Sequence, residues 1–153
     1  MAVDVRTEIV IDRPRDRVAE YAIDPSHAPE WYANIDSVRW ETPAPLGVGS
    51  RLAFVARFLG RRLAYTYEVR ELVPGERFVM STSEGPYPME TTYAWEDAGD
   101  DGTRMTLRNR GEPSGFSKVG APLMERSMRR ANRRDLEQLK RLLEAGAGPR
   151  ASG

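Results

Sequence analysis

The chain contains no cysteine. A disulfide scaffold, cysteine-ligated zinc, iron–sulfur clusters and thiol nucleophiles are therefore excluded. It has a single histidine, His27, so no multi-histidine metal site can form. Lysine is nearly absent: Lys118 and Lys140 stand beside 21 arginines, a bias that reads as base composition of the gene. No apolar run approaches the roughly 20 residues that a membrane-spanning helix needs. The N-terminal stretch MAVDVRTEIVID is charged from Asp4 onward and lacks the apolar centre of a signal peptide. No Asn-x-Ser/Thr acceptor occurs. The expectation is a soluble cytoplasmic protein that uses no cofactor.

What is present fits one domain. A chain of 153 residues can bury about two thirds of its unfolded surface, enough to fold without a metal or disulfides. Charge balances at 23 basic and 23 acidic residues, which argues against a general nucleic-acid binder. The balance hides an asymmetry. Residues 114–153 carry 9 basic and 4 acidic side chains, and residues 1–113 carry 14 and 19. The domain is expected over residues 1–145, with a disordered tail, AGAGPRASG, closing the chain from 145 and counted as 146–153.

Periodicity organises the rest. Val3, Val5, Thr7, Ile9 and Ile11 share one face of a half-buried strand. Asp12-Arg13-Pro14 and Asp24-Pro25 each begin a short helix, the second reaching about Ala33 and carrying His27, Trp31 and Tyr32. From Ile35 to Gly111 six alternating segments follow one another through short turns at Gly60, Pro74-Gly75, Gly85-Pro86 and Gly99–Gly102. That order gives an antiparallel meander. Its apolar face carries Leu52, Phe54, Tyr65, Tyr67, Phe78, Met80, Met89, Thr91, Tyr93, Trp95, Met105, Leu107 and Asn109. Such a face must be covered. The segment 116–144 supplies a helix with Met124, Met128, Ala131, Leu139 and Leu142 in one stripe and arginines opposite. Its stripe drifts, so the two halves should meet different surroundings, with a bend or an effective start at Pro122.

At this point the chain resembles the polyketide cyclase/dehydrase-like branch of the START-like (SRPBCC) superfamily. The resemblance spans about residues 3–144. It rests on the element order and on IDRPRDRVAEYAIDPSHAPEW at 11–31, PLGVGSRL at 45–52, YTYEVRELVPGERFVM at 65–80, PMETTYAWE at 88–96, GTRMTLRNRG at 102–111 and ANRRDLEQLKRLLE at 131–144. It implies an α+β helix-grip fold: a curved seven-stranded antiparallel sheet around a long C-terminal helix, with two short helices after the first strand. It also implies a cavity for a lipid, polyketide, aromatic or isoprenoid ligand. Fold does not fix function in such a family.

Strand parity and the early helix stripe nominate the ligand-binding residues: Trp31, Tyr65, Tyr67, Met89, Thr91, Tyr93, Met105, Leu107, Asn109, Phe116, Leu123 and Met124. Aromatic rings supply area and phenol hydroxyls supply orientation, although ordinary core packing would use the same residues. Asn109 sits on the inward parity of its strand and needs a partner, either a ligand carbonyl or water, or the backbone of the C-terminal helix. His27 reads best as an exposed residue on a short helix, since no fixed carboxylate partner is evident. GVGS at 47–50 lacks the lysine and following helix of a phosphate loop. Arg126, Arg129, Arg130, Arg133 and Arg134 read first as a solvated helix face with Asp135 and Glu137 near enough to pair, and otherwise as a site for anionic lipid, phosphate or RNA.

Three functions follow. The first is binding of a small hydrophobic molecule for transport, sensing or sequestration. The second is a polyketide cyclase/dehydrase-type enzyme, where Tyr side chains, Thr91 and Asn109 orient a substrate for intramolecular closure. The third is a regulator that binds a partner through the arginine face. A homodimer stays open in each.

Overall fold

The computed structural model describes residues 3–58, 60–84, 88–112 and 121–146. Strand β1 (Val3–Ile11) alternates buried and exposed residues, with Val3, Val5, Thr7 and Ile11 inside. Helix α1 (Arg15–Ile23) starts directly after Pro14, which occupies the cap position itself, and no side chain caps the helix, so neither Asp12 nor Arg13 has that role. Its buried residues are Val18, Ala19, Tyr21 and Ala22. Asp24 does cap: its carboxylate accepts from Ser26 N at 3.0 Å and opens a single 3-10 turn, Pro25–His27. The four-residue helix α2 (Ala28–Trp31) follows.

Strands β2 (Ile35–Trp40), β3 (Arg51–Phe58), β4 (Arg61–Val73), β5 (Arg77–Glu84), β6 (Met89–Ala98) and β7 (Gly102–Gly111) form the meander. Every pairing is antiparallel, in the order β1-β7-β6-β5-β4-β3-β2, so the first strand closes onto the last. Gly75, in the turn before β5, takes a positive φ of 75°, a conformation that glycine adopts without penalty. Register shifts between Ile35 and Ser37, Thr66 and Tyr67, and Val69 and Glu71 bend the β2–β5 half of the sheet. The fold is therefore a curled seven-stranded antiparallel sheet gripping one long helix.

That helix, α3, spans Ala121–Glu144. Pro122 falls in its first turn, where a missing backbone donor costs nothing, and so marks a start and not an interior bend. Residues 113–120, including Phe116, and the tail 147–153 lie outside the described residues. Leu136, Leu139 and Leu143 join the main core with Val18, Tyr21, Trp31, Phe78, Met105 and Leu107. Met124 belongs to a separate small cluster with Val3 and Leu63. The C-terminal half of α3 is thus sealed into the core. Its N-terminal half touches the sheet at one end and spans open space behind that contact.

The outer face of the sheet is laced with ion pairs, among them Arg108–Asp4 at 2.7 Å, Arg70–Glu68 at 2.9 Å and Arg77–Glu71 at 2.9 Å. Such exposed pairs contribute little stability singly, about 0–1 kcal/mol. Their effect is to make that face polar and to leave the concave face as the apolar one.

Candidate functional site

The open space is a cavity of about 160 Å³ between the concave face and the first half of α3. The sheet contributes Phe54 and Ala56 from β3, Leu63, Tyr65 and Tyr67 from β4, Met80 and Thr82 from β5, Met89, Thr91 and Tyr93 from β6, and Asn109 from β7. Helix α3 contributes Met124, Met128, Ala131, Asn132 and Asp135, the segment after α2 contributes Tyr32 and Asn34, and Ile35 at the start of β2 and Arg57 on β3 complete the lining. The wall is apolar and aromatic. Phe54 and Tyr65 stack with ring centres 5.5 Å apart, and Tyr67 meets both edge-on at 5.5 and 5.2 Å.

Two polar assemblies interrupt it. The first is a chain of four side chains. Asn132 Nδ2 donates to Asn109 Oδ1 at 2.7 Å, Asn109 Nδ2 donates to Thr91 Oγ1 at 2.8 Å, and Thr91 shares a hydrogen with the Tyr67 hydroxyl at 2.7 Å. It links β4, β6, β7 and α3 across the back of the cavity. Asn109 is paired directly across the sheet with Thr91, which is why their side chains meet. The partner of Asn109 on the helix is a side chain, not the helix backbone.

The second assembly is phenolic and acidic. The hydroxyls of Tyr32 and Tyr93 lie 2.6 Å apart. Burial pushes both phenols well above their ordinary range, so both stay protonated. Asp135 lies within electrostatic reach of the pair. Its residue is 3% exposed, and its Oδ1 accepts from Ala33 N at 3.1 Å. Burial pushes the carboxyl up to about 6, against the smaller opposing pull of the Ala33 N–H and of Arg134.

One family model, described as polyketide cyclase/dehydrase and lipid transport, matches residues 2–144. The chain belongs to this family. Its helix-grip architecture recurs in solved structures. A crystal structure of TTHA0849 from Thermus thermophilus is 25% identical, with a TM-score of 0.77 over 94% of this chain and 99% of that one. A START superfamily protein from Mycobacterium smegmatis is 14% identical, with a TM-score of 0.79 over 93% and 97%. An aromatase/cyclase, Zhui, from a Streptomyces species is 15% identical, with a TM-score of 0.76 over 97% and 100%. No curated protein matches the sequence.

Within this family fold, Tyr65, Tyr67, Met89, Thr91, Tyr93, Asn109 and Met124 come together around the cavity. Trp31, Met105 and Leu107 do not line it. They are 1%, 0% and 0% exposed and pack in the core behind it, since inward parity puts a residue on the concave face without saying how much lies over it. Leu123 is corrected outright: at 52% exposure it points to solvent, one position around the helix from Met124. His27 is not exposed either. Its ring stacks on Tyr21 at 4.0 Å, and Nδ1 lies 3.1 Å from the Tyr21 carbonyl and 3.9 Å from Asp24. It has no place in the cavity.

The arginine face splits from its expected partners. Arg126, Arg129, Arg130 and Arg133 have no carboxylate within ion-pair distance among the described residues, and Arg134 reaches Asp135 only at 4.0 Å. Asp135 is therefore corrected from a surface partner to a buried wall residue. Asn132 and Asp135 were missed as wall residues. The signal was available: Asn132 stands four residues from both Met128 and Leu136, and Asp135 four from both Ala131 and Leu139, so both occupy the apolar stripe. Among the described residues no group of three or more acidic or histidine side chains converges on a metal site, and no helix is long and apolar enough to cross a membrane.

Proposed function

We propose that this chain binds a small, largely apolar molecule between sheet and helix, for transport, sensing or sequestration. The observation that carries the reading is the Asn132–Asn109–Thr91–Tyr67 chain set into an otherwise apolar and aromatic wall. A purely structural core of this class is filled by side chains; here polar groups face a void and can orient what enters. A cavity of about 160 Å³ matches a one-ring molecule, since a void of about 150 Å³ holds benzene. A multi-ring polyketide or an acyl chain needs the walls to move apart.

Native mass spectrometry of freshly purified protein, followed by calorimetric titration with phenol and toluene, tests this. A co-purified apolar ligand, or saturable one-to-one binding of either probe, supports it. An empty protein that binds neither at millimolar concentration overturns it and turns attention to the arginine face as a partner surface.

One observation favours a second reading, catalysis on the bound ligand. Asp135 offers the cavity a carboxyl that exchanges a proton near neutral pH. In an intramolecular aldol closure it would take a proton from the carbon next to a carbonyl and return it to the alkoxide formed with the new carbon–carbon bond. Holding both carbons in contact would supply most of the acceleration. A product of changed mass, absent with Asp135→Asn, would support this reading over simple binding.

A further inference from the structure

We propose that Asp135 selects the ligand: the molecule that fills the cavity presents an O–H or N–H donor to this carboxylate and carries no carboxylate of its own at that end. The inference rests on the cavity reading above and names the chemistry of its ligand.

The geometry of Asp135 is that of half a binding site. One oxygen, Oδ1, has its structural task, accepting from the Ala33 backbone and so fixing the segment that brings Tyr32 to the cavity. The other, Oδ2, has no hydrogen-bond partner among the described residues, although the side chain is only 3% exposed. Oδ2 is not among the sealed polar atoms, so this acceptor is open to a donor that reaches it. Here the missing partner has space to enter, because Asp135 lines the void.

No cation in the wall performs the task instead. Arg134 approaches the satisfied oxygen, not the free one, at 4.0 Å, and its side chain is 53% exposed, so solvent screens it. Arg57, the cation among the lining residues, is committed to Asp36 at 3.0 Å. The phenols of Tyr32 and Tyr93 bond to each other, which uses the hydrogen of one of them. At pH 8 a negative group with one oxygen unpaired therefore faces the ligand. A donor meets it with a charge-assisted bond, stronger than a neutral one. A second carboxylate meets it with like-charge repulsion in a low-dielectric space.

The experiment compares three one-ring probes of similar size on the full chain at pH 8: phenol, toluene and benzoate. The expected result is phenol binding about tenfold or more tighter than toluene, with benzoate excluded. Asp135→Asn supplies the swap. Its amide oxygen can keep the Ala33 bond, which turns Nδ2 toward the cavity and replaces an acceptor by a donor. The variant should lose the preference for phenol over toluene and admit benzoate. If toluene binds and phenol binds no tighter, the inference fails and the cavity reading stands. If the phenol preference survives in Asp135→Asn, another group makes the selection and the inference fails. If no probe binds, the cavity reading falls and this inference with it. The wild-type series decides the matter even if the variant does not fold.

Discussion

Asn132 on α3 donates to Asn109 on β7 at 2.7 Å, and this bond ties the cavity wall of the helix to that of the sheet. Asn109 then donates to Thr91 at 2.8 Å, so one amide satisfies neighbours on two elements. Asn109→Leu leaves the Asn132 amide and one side of the Thr91 hydroxyl without their partners at the cavity wall. The expected loss is about 1–3 kcal/mol, which in a domain of this size lowers Tm by about 2–4 °C per kcal/mol. Asn109→Leu combined with Asn132→Leu removes both amides and should recover most of that loss, because an absent pair costs less than a broken one. Thermal melts of the two variants check both values. A double variant no more stable than the single one would show that the bond is incidental.

Asp135 makes stability depend on pH in the direction opposite to most carboxylates. Its folded-state value, about 6, lies above the ordinary 3.8. The folded protein therefore holds the proton more tightly than the unfolded chain does. Below about pH 4 the group costs nothing; between about pH 4 and 6 the unfolded chain releases its proton while the folded protein keeps it, so stability falls, and above 6 both are ionised and the loss is complete. The full effect is about 3 kcal/mol above pH 7. Asp135→Asn should thus match the wild type near pH 4 and exceed it increasingly toward pH 7, with no further gain above. Tyr32 and Tyr93 beside it do not titrate in that window, because burial holds both phenols well above their ordinary range. Asp4 and Glu144 run the other way. Arg108 holds the first low and Lys140 the second, so their stabilisation fades as pH falls. Comparing the variant with the wild type at each pH cancels them. A stability difference that does not vary with pH would overturn the assignment.

Much of this architecture was legible because parity is a local property. Thr91 and Asn109 could be placed inward from alternate apolar neighbours, and strand pairing then brought them opposite each other. The α3 wall was harder. A helical stripe read from hydrophobicity alone skips its polar members, so Asn132 went unremarked and Asp135 read as a surface partner of the arginines. Their burial follows from position on the stripe, not from residue type. Depth was not legible either. Met105 and Tyr93 share the concave face, yet only Tyr93 reaches the cavity, because α1 and the Leu136–Leu143 half of α3 bear on the core. Leu123 failed for a simpler reason: one residue is 100° of helix, and only Met124 falls on the buried side.

That single step has a measurable consequence. Met124 is 1% exposed and packs with Val3 and Leu63 at the end of the cavity. Met124→Ala should cost about 2–5 kcal/mol through lost burial and the hole left behind. Leu123→Ser, at 52% exposure, should stay within about 0.5 kcal/mol of the wild type. Denaturant midpoints on the two variants make the comparison. Equal losses would mean that the helix is rotated from its described setting.

Ala131 gives the most direct test of the void itself. It lies on α3 between Met128 and Asp135 and borders the cavity with the smallest side chain of any helix wall residue. Ala131→Leu sends three more carbons from a rigid helix into the space while leaving the Asn132–Asn109 and Asp135–Ala33 bonds in place. Overpacking a filled core costs about 1–3 kcal/mol. Filling a true void does the reverse, and cavity-filling changes commonly add about 0.5–2 kcal/mol. The expected outcome is a Tm equal to or above that of the wild type, together with phenol and toluene affinities reduced about tenfold or more. Both readouts are needed. A lowered Tm with binding intact would place the ligand elsewhere, and a lowered Tm with binding lost would show that the wall around Ala131 is already close-packed.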